Sequence, residues 1–407
     1  MIVKVIGLTT LALMVSPAMA GPLRVGFGKA AITPDDPGQF IAGYGSNRVA
    51  EGNHDDIWVR AMMLSDGEDM LVLLGIDLVG LFYPDAREIA EAFPGIPSDS
   101  IVVTCTHVHS APDTLGLWGP APTTSGVDAA YLAMVKQRAR EAIIEAGRSM
   151  APCKLRFATA AAPEKTGYNA RERDLLDREI SIMQAVTPGG EAICTLVNYA
   201  CHPEVLTTES KLVTSDFVHY LREEMQASGA GEVLFINGAL GGMVTPEVDE
   251  NSFEEAERIG KALGSAALGA MESMTEVEDA DIEIARATFE LPFDNPRLAM
   301  AAEIGLIQRK PSEGGTVTTT VVAGRIGPAQ FATMPGEALP TVGLAVKGLM
   351  NAEHRFFFGL ADDELGYLLH AEAVDNEMYD YEQSMSVNKA AVPLLMEQLR
   401  PLIEGIE

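Results

Sequence analysis

The sequence predicts an α/β protein with a mixed β-sheet core flanked by helices. Short apolar runs typical of buried strands recur along the whole chain, segments of helical periodicity lie between many of them, and polar side chains follow several runs directly. The predicted strands are residues 23–28, 57–64, 70–77, 101–105, 154–158, 180–186, 193–200, 232–236, 282–291, 316–325, 330–334 and 355–360.

The first twenty residues have the layout of a secretory signal peptide. Lys4 supplies a positive charge, residues 5–15 are apolar, and Ala18 and Ala20 are small residues at the positions that a signal peptidase inspects. The apolar stretch is too short to span a membrane, and no later segment has eighteen uninterrupted apolar residues. We therefore expect residues 1–20 to be removed and residues 21–407 to be periplasmic or secreted, with no transmembrane segment.

The net charge of −29 argues against nucleic acids and anionic membrane surfaces as partners. In an oxidising compartment the four cysteines could form disulfides, and the sequence does not choose between three full pairings and free thiols. It leaves the oligomeric state open as well.

Two helices have clear sequence signatures. Residues 128–150 carry apolar side chains at helical spacing, and Ser252 with Glu255 forms a capping box ahead of a second helical pattern. The intervening residues 119–126, which follow Trp118, are rich in turn formers and predict an irregular loop that either shapes a pocket or lies plainly on the surface. No internal repeat is visible.

The predicted strand 101–105 runs into a pair of histidines, His107 and His109. In an extended segment residues two apart point to the same side, so both imidazoles would emerge where the strand stops. Such a pair is half of a metal site, and the alternative is that each histidine is a hydrogen-bonded structural residue.

Three further polar residues follow predicted strands. His202 comes after residues 193–200, Tyr367 comes after residues 355–360, and Glu337 comes after residues 330–334 and begins a helix-like stretch. In open α/β sheets this rim binds ligands, and nitrogen and oxygen donors suit zinc. Taken singly, each residue also has a structural explanation. His202 fits a turn, Glu337 fits an acidic residue in the first turn of a helix, and Tyr367 fits a tyrosine packed in the core.

Together these motifs resemble those of the neutral ceramidases, also called neutral/alkaline non-lysosomal ceramidases. They also resemble those of the bacterial proteins that share the N-terminal catalytic domain of these enzymes. The resemblance is carried by residues 25–34 (VGFGKAAITP), 104–110 (TCTHVHS), 198–202 (NYACH), 335–337 (PGE), 359–360 (GL) with Tyr367, and 381–386 (YEQSMS). It implies that residues 21–407 form a single ceramidase-like catalytic domain. It also implies that one zinc ion is held by His107, His202, Glu337 and Tyr367, while His109, Arg171 and Tyr381 face the reacting group.

The chain departs from the family pattern in three places. Residues 242–246 (GMVTP) stand where the family has Gly-Asp-x-Ser-Pro, so Thr245 replaces a Ser proposed as nucleophile and Met243 replaces the Asp. The family's Asn-Arg reads Asn169-Ala170-Arg171 here, and the chain ends before any immunoglobulin-like C-terminal domain. These departures weigh against a covalent mechanism, and they weaken the case for ceramide itself as the substrate.

The resulting hypothesis is an exported zinc hydrolase that acts on the linear amide bond of a small or lipid-like N-acyl substrate. Zinc would lower the pKa of water to about 7 and polarise the carbonyl, while His109 accepts or returns protons and Arg171 and Tyr381 stabilise the oxyanion or orient the substrate. Two alternatives stay open: a zinc esterase, lactonase or phosphatase on the same scaffold, and an exported binding protein without turnover. A metallo-β-lactamase fold is disfavoured, because the pair continues as Ser110-Ala111-Pro112-Asp113 instead of His-x-His-x-Asp-His.

Overall fold

The computed structural model describes residues 22–93 and 95–406. The predicted signal peptide, residues 1–20, lies outside this part of the chain. Each of the predicted strands is present, and the mixed α/β class is confirmed. Cys105, Cys153, Cys194 and Cys201 are buried free thiols.

The elements follow one another along the chain with bounds close to those predicted. The strands are β1 (Arg24–Ala31), β2 (Gly52–Asn53), β3 (Trp58–Ser65), β4 (Met70–Ile76), β5 (Ile101–Cys105), β6 (Ala151–Pro152), β7 (Lys154–Ala161), β8 (Tyr168–Asn169), β9 (Glu179–Val186), β10 (Ala192–Tyr199), β11 (Leu212–Val213), β12 (Glu232–Asn237), β13 (Val244–Thr245), β14 (Thr275–Val277), β15 (Ile282–Pro292), β16 (Thr316–Ile326), β17 (Ala329–Thr333), β18 (Glu337–Ala338), β19 (His354–Phe358) and β20 (Tyr367–Leu368). The helices are α1 (Tyr83–Ala90), α2 (Ala129–Arg148), α3 (Phe217–Ala227), α4 (Phe253–Met271), α5 (Pro296–Glu303), α6 (Pro340–Lys347), α7 (Asp380–Ser384) and α8 (Ala391–Gly405).

Three larger sheets share one topology, which the sequence did not reveal as a repeat. In the first, β1, β3 and β4 form an antiparallel meander, and α1 crosses over to β5, which pairs in parallel with β4. The second repeats this plan with β7, β9, β10, α3 and β12, and the third with β15, β16, β17, α6 and β19. A long helix follows each unit and packs back on its first strands: α2, α4 and α8 respectively.

The central strands, among them β3, β4, β5, β12 and β17, are buried on both faces, which explains their nearly continuous apolar runs. One face of each sheet contributes to a shared central core, where Leu73 of β4 joins Leu196 of β10 and Phe331 of β17. The opposite faces are covered by the helices of the same unit, so that Leu74 beside Leu73 packs in the core under α1 and α2. The three sheets are therefore held together by one common hydrophobic core.

Both predicted helices are present, although only the Ser252 half of the capping box forms, since the Glu255 carboxylate accepts from the N–H of Asp249 and not from that of Ser252. The Asp128 side chain caps α2 by accepting hydrogen bonds from the backbone N–H groups of Ala130 and Tyr131, and Ser252 caps α4 through the N–H of Glu255. Each cap satisfies donors that have no partner within the helix and contributes about 1 kcal/mol. The loop at residues 119–126 is irregular as predicted and contains a tight turn closed by a bridge between Ala121 and Thr124.

The segments that follow the strands meet around the buried Asn237, the last residue of β12. Its side-chain Nδ2 donates to the backbone carbonyl oxygens of Thr106 and Cys201, both at 2.8 Å. Its backbone carbonyl oxygen accepts a hydrogen bond from the N–H of Gly359 at 3.0 Å. One asparagine thus joins the ends of β5, β10 and β19. The loops that carry the predicted site residues converge at this point.

Among residues 22–93 and 95–406, no helix has both the length and the apolar composition that crossing a membrane requires.

Candidate metal centre

His107 lies just after β5, but not in the extended conformation that the sequence predicted. The strand ends at Cys105, and His107 has a left-handed backbone with φ 65°, which costs a non-glycine residue about 1–2 kcal/mol. Its Nδ1 is 2.6 Å from the carbonyl oxygen of Val79 and donates a proton to it. That hydrogen bond fixes the ring so that Nε2 is free to bind a ligand.

His202 is oriented in the same way by another segment. It follows β10, and its Nδ1 donates to the carbonyl oxygen of Val244 at 2.8 Å. The ring is almost completely buried, at 1% exposure. Because a carbonyl oxygen accepts from each Nδ1–H, both His107 and His202 present an unprotonated Nε2 when neutral, which is the form that metals bind.

The two Nε2 atoms face the Glu337 carboxylate. Glu337 Oε2 lies 3.4 Å from His107 Nε2 and 3.2 Å from His202 Nε2. Contrary to the sequence prediction, Glu337 does not begin a helix: it lies in β18, and α6 starts at Pro340. The difference arises because residues 337–338 pair with β20.

That pairing places Tyr367 directly opposite Glu337 in parallel register. The Tyr367 side chain is buried, and its hydroxyl donates to the sulfur of Met243 at 3.6 Å. Burial and the charge of Glu337 raise the pKa of Tyr367 well above its usual value. Met243, the residue that replaces the family's Asp, therefore contacts a predicted ligand.

His109 belongs to the same cluster but has a different partner. Its ring centre lies 4.8 Å from that of His107 and 5.4 Å from that of His202. Its Nδ1 is 3.1 Å from Oε2 of Glu204, which also accepts a hydrogen bond from the Tyr44 hydroxyl at 2.6 Å. Within the described chain, both ring nitrogens of His109 are buried without a hydrogen bond of good geometry, so Glu204 is a close charged neighbour of Nδ1 and Nε2 has no polar partner.

The charges in the cluster favour a cation. Burial outweighs the attraction of Glu204 and lowers the pKa of His109 to about 4. Burial acts in the same direction on His202, but Glu204 and Glu337 together outweigh it and raise the pKa of His202 to about 9. Despite its burial, the adjacent histidines hold the pKa of Glu337 well below its usual range. A metal ion at this point would take the place of a proton on His202.

These residues can hold a metal ion. The nitrogens of His107, His109 and His202 lie within 4.8 Å of one another. Of the possible ligand sets, the one made by His107, His202 and Glu337 fits best, because both rings are oriented by backbone carbonyls and a carboxylate stands between them. The Nδ1 of His109 instead lies beside the Glu204 carboxylate, and its Nε2 has no polar partner in the described chain.

The cluster opens into a mostly apolar cavity. His107, His109, Glu337 and Tyr367 line one end. Most of the wall is apolar, and the charged Arg309 and Glu364 also line it. The residues with mainly apolar surface are Val79, Phe82, Leu115, Leu117, Trp118, Phe293, Leu298, Ile307, Leu365, Met385 and Val387. Trp118 thus lines the cavity, while residues 119–126 are not part of its wall.

The other three predicted site residues, Tyr381, Arg171 and Thr245, differ in whether they line the cavity. Tyr381 lines the cavity with its ring centre 5.8 Å from that of Tyr367. Arg171 is not part of the wall; its Nε donates to Oε1 of the buried Glu382 at 2.7 Å, so it braces the segment of Tyr381. Thr245 is also outside the wall and pairs with Tyr168 between β13 and β8. The structure therefore joins Tyr381 to the cluster, but not Arg171 or Thr245.

Sequence reasoning missed three acidic or phenolic groups around the cavity: Glu204, Tyr44 and Glu364. Glu204 follows His202 by two residues, so a search for acidic residues beside the predicted ligands would have found it. Tyr44 and Glu364 are distant in sequence from the histidines, and only the fold brings them close.

Gly43 gives a test of the position of His109. Gly43 has φ 106°, and a Cβ added to it would lie 2.5 Å from Cβ and Cγ of His109. We expect Gly43→Ala to displace the imidazole and lower turnover about 10²-fold, since small misplacements of a reacting group have such effects. Bound metal should be unchanged. Gly38→Ala is the matched control, because Gly38 has a similar φ of 119° and nothing lies within 4 Å of a Cβ there. Loss of metal in Gly43→Ala, or full turnover, would contradict this role of His109.

No protein-family model matches the chain, and a search of curated proteins found no relative. Among solved structures, the fold is similar to that of a neutral ceramidase from Pseudomonas aeruginosa, with a TM-score of 0.78 and 16% sequence identity over 95% of this chain and 75% of that chain. A structure described as ceramidase complexed with C2 gives a TM-score of 0.77 and 16% identity over 95% of this chain and 76% of that chain. The fold expected from the sequence motifs is thereby confirmed.

Proposed function

We propose that the protein is a zinc-dependent hydrolase of the linear amide bond in a lipid-like N-acyl substrate. The observation that carries this proposal is the convergence of His107 Nε2 and His202 Nε2 on the Glu337 carboxylate, at one end of an apolar cavity. The ceramidase fold supports amide hydrolysis in preference to other reactions of a metal site.

Zinc suits the donor set better than the hard cations do. Two imidazole nitrogens and one carboxylate are a frequent ligand set for catalytic zinc, and magnesium and calcium prefer sites made of oxygen alone. Tyr367, which lies opposite Glu337 in the paired strands, offers a further oxygen donor. Zinc supplies Lewis-acid chemistry: it polarises a carbonyl and makes water a nucleophile near neutral pH.

His109 is placed to move a proton. The Glu204 carboxylate is next to Nδ1, so the favoured tautomer carries its proton there and leaves Nε2 as an acceptor toward the cavity. When Nε2 accepts a proton during hydrolysis, the negative charge of Glu204 stabilises the imidazolium. The same Nε2–H can then be returned to the leaving amine. The Tyr44 hydroxyl holds the Glu204 carboxylate in position.

The apolar cavity wall supports the proposal that the part of the substrate beyond the metal centre is an acyl chain. Phe293, Leu298, Ile307 and Met385 present apolar surface there. Burying hydrocarbon stabilises a complex by roughly 0.8 kcal/mol for each methylene group. A long acyl group would therefore contribute most of the binding energy, while the polar cluster orients the amide.

We further propose that residues 1–20 direct export to the periplasm or the outside and that residues 21–407 act as one catalytic domain. The charged, apolar and small-residue regions of residues 1–20 support export. The hydrophobic core shared by the three sheets supports a single domain.

A panel of substrates tests the proposal against its alternatives. We expect the purified protein with zinc to hydrolyse dodecanoyl amides at rates well above those for dodecanoyl esters, lactones and alkyl phosphates of similar size. Faster hydrolysis of esters or phosphates would favour the corresponding alternative. If every class bound without turnover in the presence of zinc, the protein would be a binding protein and the proposal would be wrong.

A further inference from the structure

Three consecutive acidic residues, Asp362, Asp363 and Glu364, are buried in the segment after β19. Their exposures are only 2%, 2% and 5%. Asp362 is paired with Arg286 at 2.7 Å, and Asp363 is paired with Arg309 at 2.6 Å. A buried carboxylate generally needs such a partner, because it has lost its hydration.

Glu364 has no such arginine. Its Oε1 accepts a hydrogen bond from the N–H of Gly366 at 2.9 Å, but Oε2 is buried without a hydrogen-bond partner in the described chain. Arg309 also lines the cavity but makes no hydrogen bond to Glu364: its terminal nitrogens donate to Asp363 and to the carbonyl oxygen of Thr318, and its Nε has no hydrogen-bond partner in the described chain. One oxygen of Glu364 therefore has an unused capacity to accept a hydrogen bond.

The side chain that carries this oxygen is part of the cavity of the candidate metal centre. Glu364 lines the same cavity as His109 and Glu337. Gly80 lies next to this carboxyl group, since a Cβ added to Gly80 would be 3.1 Å from Oε2 of Glu364. Because Gly80 has no side chain, space remains beside the carboxyl group.

We propose that Glu364 is a specificity-determining residue that accepts a hydrogen bond from a hydroxyl or ammonium group of the ligand in this cavity. The inference rests on the proposed function only in taking this cavity as the substrate site. A ligand with a donor at this point satisfies Oε2, whereas a ligand with a methyl group there displaces any water and leaves the carboxyl group unpaired. Such an unpaired group costs about 1–3 kcal/mol, which corresponds to roughly 10- to 100-fold in affinity.

Three non-hydrolysable ligands that differ in one terminal group test this directly. They are the dodecanesulfonamides of ethanolamine, ethylenediamine and propylamine, which end in a hydroxyl, an ammonium and a methyl group. Calorimetric titration of the full chain with zinc should give dissociation constants roughly 10- to 100-fold lower for the first two than for the third. Glu364→Leu should bring both ratios close to one.

Glu364→Gln separates a hydrogen bond from a charge effect. Its amide oxygen can still accept from the hydroxyl, so that preference should persist, while the preference for ammonium should fall. Glu254→Leu, on the exposed first turn of α4, is the matched control and should keep the ratios of the unmodified protein.

Equal affinities for the three ligands in the unmodified protein, or no binding of any of them, would overturn the inference. So would ratios in Glu364→Leu that equal those of the unmodified protein. If the ratios behave as expected but the matching dodecanoyl amides are not hydrolysed, the proposed function fails while the role of Glu364 stands.

Discussion

Replacing His107 by alanine is expected to remove the bound metal and to lower amide hydrolysis by at least about 10³-fold. The loss follows from the geometry, because His107 Nε2 is one of two imidazole nitrogens that face the Glu337 carboxylate. A catalytic metal typically stabilises the transition state by several kcal/mol, and each 1.36 kcal/mol changes the rate about tenfold. Metal per chain and the hydrolysis rate should therefore fall together.

His219→Ala is a suitable control for this experiment. His219 lies on α3, where its ring is near Asp55 and Glu223 and is partly exposed. The variant should keep its metal and its activity. His107→Ala also removes the hydrogen bond to the Val79 carbonyl oxygen, while the left-handed backbone at φ 65° stays strained because alanine keeps a Cβ. Circular dichroism and the thermal midpoint should show that the variant is folded. A folded His107→Ala protein with full metal and full activity would rule out the proposed centre.

The central strands could be predicted from sequence because they are buried on both faces. Leu73 and Leu74 are neighbours in β4, yet one packs in the central core and the other under the helices, so the apolar run is continuous. The repeated topology could not be predicted in this way. Each unit needs only apolar strands and helices of suitable length, and many different apolar residues meet that need.

The site was harder to predict than the fold, because local patterns do not describe loop conformation. The expected extended pair of histidines is wrong in its geometry, since the backbone turns at His107 and the loop carries His109 back toward His202. Likewise, Glu337 follows a strand as expected, but its pairing with β20 depends on a segment thirty residues further along the chain. The sequence identified the residue types and the strand ends, whereas the distances between them depend on tertiary contacts.

Glu364 shows a second kind of limit. In the sequence, the acidic run 362–364 is typical of a solvated loop. In the structure it is buried, because Arg286 and Arg309 approach from distant elements and pair with its first two members. The lack of an arginine partner for Glu364 is visible only in the structure, where Asp362 and Asp363 are each paired with an arginine.

The central claim is that His107, His202 and Glu337 hold a metal ion on which hydrolysis depends, and stepwise addition of zinc to chelator-treated protein tests it most directly. Metal content by mass spectrometry and hydrolysis of a dodecanoyl amide are followed on the same samples. We expect the stripped protein to be inactive, and activity to rise in proportion to zinc and level off at one ion per chain. Full activity in protein that has been shown to be free of metal would contradict the account.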